Sequence, residues 1–185
     1  MKNKMILEKQ DIKIEKGKIT TFVSERCSGM STLLCEYATD FLKNNDGNVL
    51  IISHSTQSAK HTYEKLLNMF NDKTRVKYSN IDNASSKLHG QHYGMIIYDC
   101  PDIMNENELW HLTYLMSLGS PKIIIGITWE NIAFTKDVNK LIRKNFTNNS
   151  NYAYFMVVTY TGKHLFYEIE NSDTEELKEE FYGYY

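Results

Sequence analysis

No apolar run in this chain approaches the ~20 residues that span a bilayer, and the lysine-rich start leads into no signal-peptide core. A soluble, cytosolic protein is therefore expected. Cysteine is scarce: Cys27, Cys35 and Cys100 form an odd set without metal-ligand spacing, which excludes a disulfide framework and fits a reducing compartment. Charge of one sign is lacking too. The net charge of −2 gives no whole-chain electrostatic argument for nucleic acid. At 185 residues with 42% hydrophobic content, there is room for one domain with a real core and not for two.

The charge that is present is unevenly placed. Residues 1–18 hold six lysines against Glu8, Asp11 and Glu15, whereas residues 168–185 hold seven acidic groups against Lys178. The basic start reads as a solvated tail, or else as an arm for nucleic acid. Abundant Lys, Asn and Tyr point to an AT-rich, viral source, which would place the protein in the host cytoplasm.

Strand and helix patterns alternate along the chain. Ile19–Val23 is β-branched and aromatic, and residues 31–43 bury a helical stripe of Leu33, Leu34, Tyr37, Ala38, Phe41 and Leu42. Val49–Ile52 is a continuous apolar run, as in a strand covered on both faces. A helix follows over 56–70, then a short strand at 76–78 that leads into a polar loop. Strands at 95–99 and 122–128 flank a helix carrying Leu109, Trp110, Leu112, Leu115 and Met116, and another helix is expected near 135–143. Residues 153–160 and 164–169 read as a hairpin turned at Thr161-Gly162-Lys163. The pattern predicts an α/β layered sheet, with residues 1–170 as one domain and 171–185 as an acidic, aromatic tail.

Between the first strand and first helix lies Ser24-Glu25-Arg26-Cys27-Ser28-Gly29-Met30-Ser31-Thr32. It matches a phosphate-binding P-loop, G-x-x-x-x-G-K-[ST], with two changes: Ser24 replaces the first glycine and Met30 replaces the lysine. In such a loop, backbone N–H groups and the helix N-terminus cradle phosphates, the lysine reaches the outer phosphates, and the hydroxyl holds magnesium. Asp99 ends an apolar strand, where a Walker B aspartate would hold magnesium through its water shell; its other reading is a carboxylate capping the helix after Pro101. His54 reads as a surface residue, and the spacing of His89, His92 and Asp99 fits no zinc pattern.

Three segments resemble the ATPase domain of viral terminase large subunits, within the broader class of RecA-like P-loop NTPases: Arg26 in the loop, Gly90-Gln91-His92-Tyr93-Gly94-Met95-Ile96-Ile97-Tyr98-Asp99, and Ser120-Pro121-Lys122-Ile123-Ile124-Ile125-Gly126-Ile127-Thr128. The resemblance covers about residues 17–130. It implies a three-layer fold with a mainly parallel sheet, in which the strand ending at Thr128 lies between the P-loop strand and the Asp99 strand. Thr128 would then sit near the γ-phosphate. The nucleotide set it implies is Glu25, Arg26, Cys27, Ser28, Gly29, Met30, Ser31, Thr32, Asp99 and Thr128, with Ser31 and Asp99 holding magnesium.

The departures from that family point away from hydrolysis. Lysine is replaced by Met30, the glutamate that polarises water is replaced by Cys100, a poor base, and the nuclease domain of terminases has no counterpart. Losing one partner of a buried charge pair costs about 2–5 kcal/mol, roughly a thirty- to several-thousandfold loss of affinity. No cofactor is assigned outright, and ATP with magnesium is admitted at weak affinity. Arg26, Lys18, Arg143 and Lys163 are the cations that could compensate. No catalytic residue is assigned. The expectation is an impaired P-loop protein that binds a protein partner (a related motor, a helicase or a second copy) as an adaptor, assembly factor or inhibitor of a nucleic-acid motor. Phe181, Tyr182, Tyr184 and Tyr185 read as partner anchors, or else Phe181 and Tyr184 fold back onto their own domain. The alternative is a divergent ATPase acting on DNA.

Overall fold

The computed structural model describes residues 6–25, 27–87, 91–99, 114, 121–128, 152–160 and 163–168. β-branched and aromatic runs become strands: β1 Ile6–Leu7, β2 Ile19–Ser24, β3 Val49–Ser53, β4 Val76–Asn80, β5 Met95–Asp99, β6 Lys122–Thr128, β7 Tyr152–Tyr160 and β8 Lys163–Glu168. The helices are α1 Met30–Asn44, α2 Thr56–Met69 and α3 Ile81–Lys87.

All eight strands join one sheet in the order β1-β8-β7-β2-β6-β5-β3-β4. The six strands from β7 to β4 run parallel, and β8 and β1 add an antiparallel edge. As the resemblance implies, β6 lies between β2 and β5. The expected C-terminal hairpin is present as β7 and β8, paired from Tyr160↔Lys163 to Phe155↔Glu168. Lys163 is in a strand rather than in the turn.

Helices α1 and α2 pack side by side on one face of the sheet, α1 over β5 and β6 and α2 over β3 and β4. Phe22, Leu33, Leu34, Ile51, Leu66, Ile97 and Ile124, all fully buried, lie in the core between these layers. Phe22 stacks on Tyr37 of α1 at 5.3 Å and meets Phe155 and Phe166 at 6.0 and 5.6 Å. This aromatic group ties the first helix to both the P-loop strand and the hairpin, and such pairs add about 0.5–1.5 kcal/mol each beyond their buried area.

Two expectations are corrected. Residues 6–18 are not a solvated tail. Ile6 and Leu7 pair with β8, Ile12 and Ile14 are buried, and Lys9 bridges Glu36 at 3.2 Å and Asp40 at 2.9 Å on α1. The lysines masked this apolar alternation. The polar loop expected after Tyr78 holds a longer β4 and α3, with Ile81 and Ala84 as buried anchors. Of the helix expected around residues 109–116 only Tyr114 is described, and it is helical; the helix expected near 135–143 and the tail 171–185 lie outside the described residues.

Arg75, just before β4, closes the C-terminal end of α1. Its guanidinium donates to the Leu42 carbonyl at 3.0 Å, to the Gly47 carbonyl at 2.8 Å and to the Asn45 carbonyl. Leu42 and the C-cap Asn45 belong to the helix end, whose last carbonyls lack intrahelical partners, and Gly47 lies in the turn that follows. Arg75→Ala is expected to lower unfolding free energy by about 2–3 kcal/mol, with Arg75→Lys recovering only part because an ammonium cannot fork. Urea titration checks this through a lower midpoint at unchanged slope.

Candidate nucleotide-type cleft

Parallel strands all aim their carboxyl ends at one edge, and ligand sites of open α/β sheets form there. Register fixes the details. Ser24 pairs with Thr128, and Asp99 pairs with Gly126. Beyond these residues lies a cleft of about 820 Å³ lined by Glu25, Cys27, Ser28, Gly29, Met30, Ser31, Asp99 and Thr128. Eight of the ten residues expected from sequence therefore border one space. Thr32 stands beside it, and Arg26 lies outside the described residues, as do Cys100, Arg143, Phe181, Tyr182, Tyr184 and Tyr185.

The loop has the backbone of a tight turn into a helix. Gly29, the N-cap of α1, has φ +82°, a left-handed conformation that glycine adopts without strain, and Cys27 also has positive φ at 61°. The N-cap Gly29 offers α1 no side-chain cap, in contrast to α2, where Ser55 accepts from the Ser58 N–H at 3.1 Å. Within the loop the Ser28 hydroxyl donates to Ser24 Oγ at 2.6 Å, so Ser24 acts as a buried polar latch at the position of the first glycine.

Met30 does not take the course expected of a phosphate-reaching side chain. A Cβ built on Gly126 would fall 2.8 Å from Met30 Cγ and 2.9 Å from Leu34 Cδ1. The thioether therefore lies on the bare backbone of β6 and packs against the core. Met–Gly complementarity fills the space where charge would otherwise be needed.

The far wall was not legible in sequence as a site. Ser53, Gln57, Ser58, His61, Thr62 and Lys65 line it, because positions 58, 61/62 and 65 share one face of α2. Helical spacing could have flagged that polar face. Thr62 is buried and donates to Asp99 Oδ2 at 2.6 Å, and Ser53 donates to the Asp99 carbonyl at 2.6 Å. Asp99 is thereby tied to α2 and β3. Lys65 Nζ donates to Thr32 Oγ1 at 3.3 Å.

Lys65 is the only lysine or arginine among the described residues lining the cleft. Lys18 is engaged with Glu15 at the start of β2, the opposite end of the strand, and Lys163 is exposed on β8 and not part of the lining. His54 is exposed, and no metal-binding cluster of His, Cys, Asp or Glu occurs among the described residues. Magnesium held mostly by water and phosphate needs little from the protein. Ser31 and Asp99, which both border the cleft, are the residues that would hold such an ion, and it would neutralise phosphate charge.

Buried Cys35, whose thiol donates to the Thr62 carbonyl at 3.5 Å, is pushed up to about 12, chiefly by burial and then by the Asp99 charge. It is inert at neutral pH. Cys27 is exposed.

No family model matches the chain, and no curated protein matches it. Among solved structures, the UvsW helicase from bacteriophage T4 is similar, with a TM-score of 0.53 at 14% identity over 68% of this chain and 51% of that one. The fold is RecA-like. This chain spans about half the length of that solved chain, and the likeness concerns the fold alone.

Two outcomes follow from this geometry. Gly126→Ala is expected to lower stability by about 1–3 kcal/mol through overpacking, and Met30→Ala in the same chain is expected to return part of it; a double-mutant cycle by urea unfolding measures the coupling. The second concerns His164 on β8, whose ring lies 3.5 Å from a Cβ built on Gly29. Its pKa is lowered, first by burial, with Glu36 raising it and Lys9 lowering it. The unfolded chain then binds a proton near the ordinary value of about 6.5 that the folded chain takes up only at lower pH. Stability should fall as pH drops through that window, and His164→Gln should flatten the dependence in melts between pH 7.5 and 5.

Proposed function

We propose that this protein is a P-loop NTPase relative with impaired hydrolysis that acts as a protein-binding adaptor, assembly factor or inhibitor of a nucleic-acid motor. The observation that carries the reading is the placement of Met30. The residue at the lysine position lies on Gly126 and Leu34, inside a cleft that otherwise has the parts of a nucleotide site. Phosphoryl transfer is almost entirely positioning and charge stabilisation. A loop without its ammonium, together with Cys100 after Asp99 where the family has glutamate, lacks the charge and the base for that step.

Weak nucleotide binding is compatible with this role. The uncapped start of α1, the Ser31 hydroxyl and Asp99 would hold ATP with magnesium without driving turnover. The terminase-like segments support a motor-related ancestry, and the composition supports a viral source. The aromatic tail, with Phe181, Tyr182, Tyr184 and Tyr185, is the proposed partner anchor.

A second reading is favoured by the RecA-like fold shared with a helicase and by Asp99 and Ser31 bordering the same cleft. In it the chain is a divergent ATPase acting on DNA. Steady-state phosphate release, with and without DNA, separates the two. The adaptor reading expects background release that Asp99→Asn leaves unchanged; turnover abolished by that substitution would establish the ATPase. For the partner, affinity capture with and without residues 171–185 should retain a motor protein only with the tail present.

A further inference from the structure

We propose that Lys65, carried by α2 and not by the loop, is the phosphate-binding cation of this cleft, so that a nucleoside polyphosphate is gripped from the neighbouring helix. The proposal rests on the nucleotide reading above and assigns the charge that the loop has lost.

Geometry supports it at four points. Lys65 is half-buried and lines the cleft, and its Nζ stands 3.3 Å from the hydroxyl of Thr32, in the first turn of α1. An ammonium carries three donors. Among the described residues, Thr32 Oγ1 is the only hydrogen-bond or ion-pair partner that Lys65 has, so no carboxylate is in direct contact with it. A partly desolvated ammonium with donors not engaged by a carboxylate is left to gain from an arriving anion.

The second point is rigidity. Thr62, three residues before Lys65, ties α2 to Asp99 at 2.6 Å through its hydroxyl and to Cys35 of α1 at 3.5 Å through its carbonyl. These bonds hold the stretch of α2 that presents the ammonium.

The third is that Met30 vacates the role by packing on Gly126. The fourth is the lining itself, in which Glu25 and Asp99 face a single described ammonium. Without Lys65 the described lining would hold two carboxylates and no lysine or arginine to meet a phosphate. Asp99 and Lys65 act on the Cys35 thiol with opposite sign, which places both charges close to the same point.

The test uses the full chain, a fluorescent ATP analogue with magnesium, and Cys27 as a local reporter, since that exposed thiol borders the cleft. Lys65→Gln and Lys65→Met, both good helix formers, are expected to bind the analogue about 10- to 100-fold more weakly than the native chain. Lys65→Arg should retain much of the affinity. Adding Met30→Lys to Lys65→Gln should restore part of the loss. Nucleotide should slow modification of Cys27, located by peptide mass, in the native chain and not in Lys65→Gln at the same concentration.

Equal affinity in the native chain and both neutral variants, with Cys27 still protected, would overturn the role of Lys65 and leave the nucleotide cleft standing. Absence of binding and of Cys27 protection in the native chain at millimolar nucleotide would overturn both. Thermal melts of each variant confirm that the compared proteins are folded.

Discussion

The parallel pairing of β2, β6 and β5 is the constraint on which the rest of the molecule depends. Its register sets Ser24 against Thr128 and Asp99 against Gly126. Because parallel strands aim their carboxyl ends the same way, four positions distant in sequence reach one edge together. Two strands stand between β2 and β3, so α1 must cross β6 and β5 before the chain returns. That crossing carries Met30 over Gly126 and brings α2 alongside the cleft. A different strand order would have separated the loop, Asp99 and Lys65.

Packing holds the arrangement from beneath. Phe22 is fully buried in the middle of the P-loop strand and meets Tyr37, Phe155 and Phe166. The loop that follows β2 is thus anchored on one side by an aromatic group that also holds α1 and the hairpin. On the other side, the Thr62 hydroxyl binds Asp99 and the Cys35 thiol binds the Thr62 carbonyl. Each bond is modest alone, about 0.5–1.5 kcal/mol for neutral groups and more where a carboxylate accepts. Their value lies in joining three elements at one buried point.

Much of this was legible in the chain because long apolar runs, loop glycines and strand-end carboxylates carry strong local signals. The P-loop turn, the strand at Val49–Ser53, Asp99 and the β6 strand ending at Thr128 each followed from residues within a short window. What escaped depended on tertiary contacts. Ile12 and Ile14 are spaced as a strand would be, yet Lys9, Lys13 and Lys16 around them suggested a solvated arm, and only contact with α1 reveals their burial. α3 is short and polar, and burial of Ile81 and Ala84 sustains it where local propensity gives little warning. Lys65 escaped for a similar reason. It lies 35 positions beyond Met30 in the chain, and only the packing of α1 against α2 brings its ammonium to Thr32.

The same geometry shows how the walls of this cleft hold one another. In a site built for rapid turnover, preorganised charges wait for the transition state, and that arrangement is itself strained. Here the main charge in the loop is absent, a thioether occupies the bare backbone of Gly126, and one Asp99 oxygen already accepts a hydrogen bond from Thr62. Thr62 and Ser53 thus satisfy Asp99 within the fold. Lys65, the only lysine or arginine among the described residues lining the cleft, has one hydrogen bond among those residues for three donors. The bonds of Thr62 to Asp99 and Cys35 hold α1, α2 and β5 together, and on the reading proposed above the Lys65 ammonium offers attachment to phosphate without the paired charges that hydrolysis requires.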